Sequence, residues 1–99
     1  MPNSRYKLSK LAQAHLRKIK NYTVTNFSEV QWQNYKNKLL IGFQMLADTP
    51  TVGKSCHDLY PNGFYFPVGK HVAYFNKKED FILIVAVLGK SQLPQNHFK

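Results

Sequence analysis

The side chains that could carry chemistry are histidines and lysines in the second half of the chain. A metal-independent ribonuclease needs a base for the ribose 2′-hydroxyl, an acid for the leaving 5′-oxygen and cations for the phosphate. The residues of suitable type are Lys54, His57, Lys70, His71, Lys90 and His97. No arginine follows Arg17, and lysine binds phosphate as a point charge, without the two-pronged geometry of arginine. Solvated lysines at strand ends show the same pattern, so residue types alone leave binding and catalysis both open.

Other chemistries have less support in the sequence. Cys56 and His57 are adjacent, and the chain has no CxxC or HxxxH spacing, so we expect no metal site. No glycine-rich phosphate loop is present, so we expect no cofactor. A Cys56 nucleophile would need a lowered pKa and a nearby base, and adjacent side chains on an extended loop point apart.

Composition predicts one small domain with an acidic partner. The 99 residues suffice for a single modest core. The 14 Lys and Arg outnumber the 5 Asp and Glu, and the net charge of +9 favours nucleic acid or an acidic protein segment as partner. A merely soluble basic surface would have the same charge. One cysteine suits a reducing compartment, and no apolar run reaches about 18 residues, so we expect a cytoplasmic protein without signal peptide or membrane span.

The elements that must position these side chains are strands in the C-terminal half. Residues 81–88 form an unbroken apolar run, which predicts the central strand of a sheet, covered on both faces. Residues 71–75 predict its antiparallel neighbour, and residues 76–80, which are charged and turn-forming, predict the hairpin loop between them. Residues 63–67 predict a further short strand, which ends at a proline.

The N-terminal half predicts an edge strand and two helices. Residues 5–8 alternate basic and apolar side chains, as in a short edge strand. A first helix is predicted after Ser9, and a capping box at Ser28 predicts the start of a second. The inner face of the first helix should comprise Ala12, Leu16, Ile19, Tyr22 or Thr23, and Phe27. The apolar stripe of the second comprises Trp32, Tyr35, Leu39, Phe43 and Leu46.

Together these elements predict a single α+β domain over residues 1–99, with the order β-α-α-β-β-β. The helices should form a hairpin packed on one face of a mainly antiparallel, twisted sheet. Residues 51–62 show little periodicity and predict a loop. The tail at residues 91–99 has little to bury, so we expect it to be mobile until a partner orders it.

Four stretches of the chain follow the pattern of a known family, in the same order and spacing. They read YKLSKLA at 6–12, LADTPTVGK at 46–54, FPVGKHVAYF at 66–75 and VLGK at 87–90. The third is the most specific, because ParE-like chains have F-P-V-G-R/K-H-V-I-F-Y there. The chain thus resembles the toxins of bacterial type II toxin–antitoxin systems, the RelE/ParE superfamily, and its ParE branch in particular.

The resemblance implies the β-α-α-β-β-β fold and a cognate antitoxin whose acidic, partly disordered segment wraps the toxin. For ParE-like members it implies poisoning of DNA gyrase, so that DNA breaks persist. RelE-like members instead cut messenger RNA on the ribosome and have a strand arginine where this chain has His71 or Val72. We therefore predict a binding toxin and not an enzyme. The alternatives are a ribosome-dependent endoribonuclease that uses His71, Lys90 and His97, and a non-toxic basic module that only binds the antitoxin.

Two sets of contact residues are predicted. Lys70 starts one strand and Lys90 ends its antiparallel neighbour, so these ends should meet. With the tail they form the predicted target contact, which comprises Lys70, His71, Lys90, His97 and Phe98. The predicted antitoxin contact is a basic face across the helical hairpin and the sheet edge, comprising Arg5, Lys7, Lys10, Arg17 and Lys18. No acidic residue precedes Glu29, so charge should steer association with the antitoxin.

Overall fold

Two helices pack on one face of a five-stranded sheet, in a computed structural model that describes residues 5–92 and 94. The α+β fold predicted from the sequence is confirmed. The elements are β1 (Arg5–Leu8), α1 (Lys10–Asn26), α2 (Glu29–Asp48), a 3-10 turn (Pro50–Val52), β2 (Lys54–Ser55), β3 (Gly63–Val68), β4 (His71–Lys77) and β5 (Phe81–Gly89). No helix within these residues is both long and apolar enough to cross a membrane.

The prediction of a plain loop at residues 51–62 is wrong, because this segment contains the 3-10 turn and β2. Lys54 and Ser55 pair with Tyr65 and Phe64 of β3. A strand of two residues is too short to show an alternating pattern, so the sequence gives no signal for it. The extra strand makes the order β-α-α-β-β-β-β.

The strands lie in the order β1-β5-β4-β3-β2, with β1 parallel to β5 and the other pairs antiparallel. The apolar run that forms β5 is therefore an interior strand, although β4 takes the middle place. The pairing of β4 with β5 shifts between Tyr74 and Phe75, where Tyr74 faces Ala86 and Phe75 faces Ile84. This bulge changes the alternation along β5, so that Ile84 packs in the cluster with the helices while Ala86 packs in a second cluster.

Both helices begin where the sequence predicts. The Ser9 side chain accepts a hydrogen bond from the Ala12 N–H at 3.0 Å, and the Ser28 side chain accepts one from Gln31 at 3.0 Å. Predicted α2 stripe residues are buried in the core, namely Trp32, Leu39, Phe43 and Leu46.

Phe27 contradicts the predicted inner face of α1, because it is 60% exposed. The helix ends at Asn26, and the Phe27 backbone leaves helical geometry at φ −131° and ψ −91°. Helical spacing therefore no longer determines where this side chain lies. One turn earlier, Thr23 is buried and Tyr22 is 63% exposed. The end of α1 consequently presents two aromatic rings at the surface.

Side chains at the start of α1 complete the hydrogen bonding of β5 beyond the end of β1. The paired part of β1 ends at Leu8, opposite Ile84. Further along, the Ser9 hydroxyl donates to the Val85 carbonyl at 2.9 Å, and His15 Nδ1 accepts from the Val87 N–H at 3.1 Å. Because strand backbone groups need partners when buried, these contacts fix α1 against the sheet.

Helix α2 approaches the sheet closely at Gly42. A Cβ atom at this position would lie 2.3 Å from Cγ1 of Val68 on β3. This close approach explains why a residue with low helix propensity stands in the middle of α2. The contact sets α2 against β3, the strand that leads into the turn before His71.

Candidate functional site

The predicted target contact lies where the turn between β3 and β4 meets the end of β5. The register pairs His71 with Gly89, so Lys70 and Lys90 lie at the same end of the sheet. This juxtaposition confirms the geometry expected from antiparallel pairing. Both lysines are exposed, whereas His71 is half-buried. His97 and Phe98, the other two predicted contact residues, lie outside the described residues.

Tyr35 of α2 joins this site, which the sequence did not predict. Its hydroxyl oxygen lies 2.5 Å from His71 Nδ1 and accepts a hydrogen bond from the Lys70 N–H at 2.9 Å. The Tyr35 and His71 rings lie 5.5 Å apart. Helical spacing places Tyr35 in the apolar stripe of α2, and no local pattern links it to a histidine 36 positions later. The hydroxyl thus connects the helical hairpin to the turn that precedes β4.

The pair is neutral near pH 7. Burial lowers the pKa of His71. Burial also raises the pKa of Tyr35, partly offset by the hydrogen bond from the Lys70 backbone. We assign the Tyr35 O–H as the donor to His71 Nδ1, because this direction uses the hydroxyl as donor to His71 and as acceptor from Lys70; the imidazole proton then lies on Nε2. The positive charge of this site therefore comes from Lys70 and Lys90, while His71 provides a neutral donor.

The turn that supplies Lys70 depends on the preceding glycine. Gly69 has φ +61°, a conformation that favours glycine. A Cβ atom there would also lie 2.9 Å from the Tyr35 hydroxyl oxygen. At the neighbouring strand end, the Gly89 N–H donates to the Gln92 side-chain oxygen at 2.5 Å. Gly69 thus allows the backbone to turn closely around the Tyr35 hydroxyl, and the Gln92 side chain bonds the backbone at the end of β5.

The predicted antitoxin residues fall on two faces of the molecule. Tyr6 and Leu8 pack against the core beneath the helices, so Arg5 and Lys7 project from the opposite face of the sheet. The Lys7 ammonium lies 4.4 Å from the centre of the Phe81 ring. The remaining three residues of this set are exposed on α1, namely Lys10, Arg17 and Lys18. The structure does not bring the five cations together on one continuous face.

A narrow apolar groove lies between the two helices. Its volume is about 220 Å³. Its apolar walls are formed by Leu8, Leu16, Trp32, Leu39 and Leu40. Three cations also line it, namely Arg17, Lys20 and Lys36. A groove with apolar walls and basic side chains suits an amphipathic segment that carries both apolar and acidic side chains.

Cys56 has the wrong environment for a nucleophile. Its side chain is buried beside Tyr60 and Tyr74, on the sheet face away from the helices. Burial raises the pKa of its thiol, whereas nucleophilic cysteines need a lowered one. Within residues 5–92 and 94, no three His, Cys, Asp or Glu side chains come close enough to hold a metal ion.

Comparisons with known proteins identify the family to which this chain belongs. Residues 6–94 match the family model described as the ParE toxin of type II toxin–antitoxin system, parDE. Toxin ParE1 proteins from two strains of Mycobacterium tuberculosis are each 31% identical over 87 residues, which cover 87% of this chain and 89% of theirs.

The fold also matches a solved structure described as the chromosomal ParDE TA system from P. aeruginosa. The TM-score is 0.74 at 15% sequence identity, and the match covers 90% of this chain and 98% of the other. At that identity the likeness concerns the fold alone. The family match, by contrast, extends from the first core residue of β1 to the residues after β5. The chain therefore belongs to the family of ParE toxins of type II toxin–antitoxin systems.

Proposed function

We propose that this protein inhibits bacterial growth by binding DNA gyrase in the cytoplasm and poisoning it, without catalysing a reaction itself. The observation that carries the proposal is the meeting of Lys70, His71 and Lys90 at one end of the sheet. Two exposed lysines there suit an acidic protein surface or DNA phosphate. On the grounds of sequence alone, we include His97 and Phe98 in this proposed contact.

The environment of His71 favours binding over catalysis. Its Nδ1 is engaged with the Tyr35 hydroxyl, and the side chain is half-buried. No arginine stands beside it to stabilise a developing phosphate charge in the described part of the chain, since Arg5 and Arg17 lie on β1 and α1. The site therefore offers surface cations and a neutral donor.

We further propose that a cognate acidic antitoxin neutralises the protein by binding the groove between α1 and α2. The apolar walls would take its hydrophobic anchors, while Arg17 and the neighbouring lysines attract its acidic residues. Of the predicted cations, Lys10, Arg17 and Lys18 lie on the helical side. Arg5 and Lys7 would contribute only if the antitoxin also wraps the sheet edge.

A second candidate, ribosome-dependent cleavage of messenger RNA, is favoured by one observation. His71 lies next to Lys70 and at the same end of the sheet as Lys90, and histidine with lysine supplies the residue types that a metal-independent nuclease uses. In this alternative, His71, Lys90 and His97 would act as catalytic residues.

Controlled expression with two readouts separates these functions. DNA-damage signalling without messenger-RNA cleavage supports the gyrase proposal, whereas ribosome-dependent cuts that vanish in His71→Ala with ribosome binding retained establish the nuclease. Lys90→Ala should reduce toxicity in proportion to lost target affinity. Lys78→Ala is the matched control, because it removes an exposed lysine from the opposite end of the sheet. If cells that express the protein grow normally and the protein still binds the antitoxin, the remaining alternative is a non-toxic module that only binds the antitoxin.

A further inference from the structure

A cavity of about 520 Å³ lies beside the Tyr35–His71 pair, and its lining includes two exposed aromatic rings. Tyr22 is 63% exposed and Phe27 is 60% exposed. Their rings lie 6.4 Å apart, edge to face, where the chain leaves α1. Single exposed apolar side chains are ordinary, but two adjacent exposed rings that line a cavity indicate a surface that binds a ligand.

The charged residues that line this cavity are cationic. Lys18 and Lys70 contribute ammonium groups, and none of the described lining residues is an Asp or Glu. His71 and Gln31 add neutral hydrogen-bonding groups to the same lining. A cavity of this size, with aromatic rings and a few converging polar groups, has the properties of a ligand site.

A second cavity of about 490 Å³ lies next to the first. Both are lined by Gln31, Tyr35 and Lys70. The second adds Asn34 and Lys38 but no exposed aromatic ring. The two cavities are therefore adjacent, and we treat them together as one groove, aromatic at one end and polar and basic at the other.

We propose that this groove binds single-stranded nucleic acid. One unstacked base would lie against Tyr22 and Phe27, and the adjoining phosphates would contact Lys70 and Lys38. Each nucleotide supplies a planar ring and a negative charge at a fixed spacing, which matches rings at one end of the groove and lysines at the other. A run of acidic side chains would satisfy the lysines but provides no planar ring for the aromatic end.

The groove selects against duplexes, because paired bases are stacked inside a helix and cannot lie on a side-chain ring. Lys70 lines both cavities, and a strand can place phosphates in both parts of the groove. A strand should therefore bind more tightly than a free mononucleotide. Gyrase is not needed for this binding, so it is measured with the purified protein alone.

The test is fluorescence anisotropy with a six-nucleotide strand labelled at its 3′ end, with an unlabelled strand as competitor. We expect Tyr22→Ala/Phe27→Ala to weaken binding about 5- to 150-fold, the range for loss of a stacking side chain. The control Val30→Ala/Ile41→Ala removes two apolar side chains that are 70% and 71% exposed outside the groove and should leave the Kd unchanged. Circular dichroism verifies that each variant is folded.

Salt dependence tests the phosphate contacts separately. Lys70→Ala should reduce the slope of log K against log salt by about 0.7, the value for one phosphate contact on a single strand. Lys78→Ala, at the far end of the sheet, should leave this slope unchanged. The inference is overturned if no strand binds at about 100 μM protein and low salt, if the aromatic variant binds as tightly as the parent, or if a duplex or a free mononucleotide binds as tightly as the strand.

Discussion

Replacing Tyr35 by phenylalanine tests how the helical hairpin holds the end of the sheet. The substitution removes one oxygen, which contacts His71 Nδ1 at 2.5 Å and accepts from the Lys70 N–H at 2.9 Å. The phenyl ring retains the packing of Tyr35 against the core. The effects should therefore report the hydroxyl alone.

The expected loss of stability is modest. A typical intramolecular hydrogen bond contributes about 0.5–1.5 kcal/mol net. The released Lys70 N–H lies in an exposed turn and can bond to water, whereas His71 is half-buried. We therefore expect the free energy of unfolding to fall by about 1–2 kcal/mol in urea denaturation. Tyr22→Phe, which removes a hydroxyl from an exposed ring, is the matched control and should change stability by less than about 0.5 kcal/mol.

The same variant determines the direction of the Tyr35–His71 hydrogen bond. If Tyr35 donates to Nδ1, the bond stabilises neutral His71, and its loss should raise the His71 pKa toward the ordinary value of 6.5. NMR titration of the imidazole protons measures this pKa directly. A pKa that falls in Tyr35→Phe would show that His71 donates to Tyr35, and an unchanged pKa together with unchanged stability would refute the contact.

Three further predictions concern the core, the antitoxin and acid stability. Leu39→Ala should destabilise the protein by about 2–5 kcal/mol in urea denaturation, because Leu39 is 1% exposed in the core, and a loss below about 0.5 kcal/mol would contradict its burial. Charge reversal at Arg17 and Lys18 should slow association with the antitoxin, as measured by stopped flow. An association rate that changes neither in this variant nor with salt concentration would show that charge does not steer binding. Because burial lowers the His71 pKa, the unfolded chain binds more protons, so the free energy of unfolding should fall as the pH drops below about 6.5. His71→Gln should reduce the slope of the free energy of unfolding against pH by at most the equivalent of one bound proton. The same slope in the parent and in His71→Gln would contradict the pKa shift.

Local signals in the sequence predict most of this fold because they arise from neighbouring residues. The serine caps and the stripe from Trp32 to Leu46 follow helical spacing, and the apolar run of β5 reflects burial on both faces. Where the local pattern stops, prediction fails. Phe27 follows the spacing of α1 but lies one residue past its end, and β2 is too short to have a pattern.

The site was predictable only in part, for a related reason. Hairpin pairing brings Lys70, His71 and Lys90 together, and that pairing can be read from two adjacent strands. The Tyr35 contact joins α2 to β4 across 36 positions, so it depends on how closely the hairpin packs on the sheet. Likewise, His15 meets the Val87 N–H because β1 ends early, which no pattern around His15 indicates.

The most direct test of the central proposal is a gyrase cleavage assay with purified components. Supercoiled plasmid, gyrase and ATP are incubated with the protein, and linear DNA covalently attached to gyrase is measured after detergent. We predict that the parent protein and Lys78→Ala accumulate cleaved DNA and that Lys70→Ala/Lys90→Ala accumulates much less. Absence of gyrase-linked cleavage with all three proteins, together with cuts in messenger RNA on purified ribosomes, would contradict the proposal.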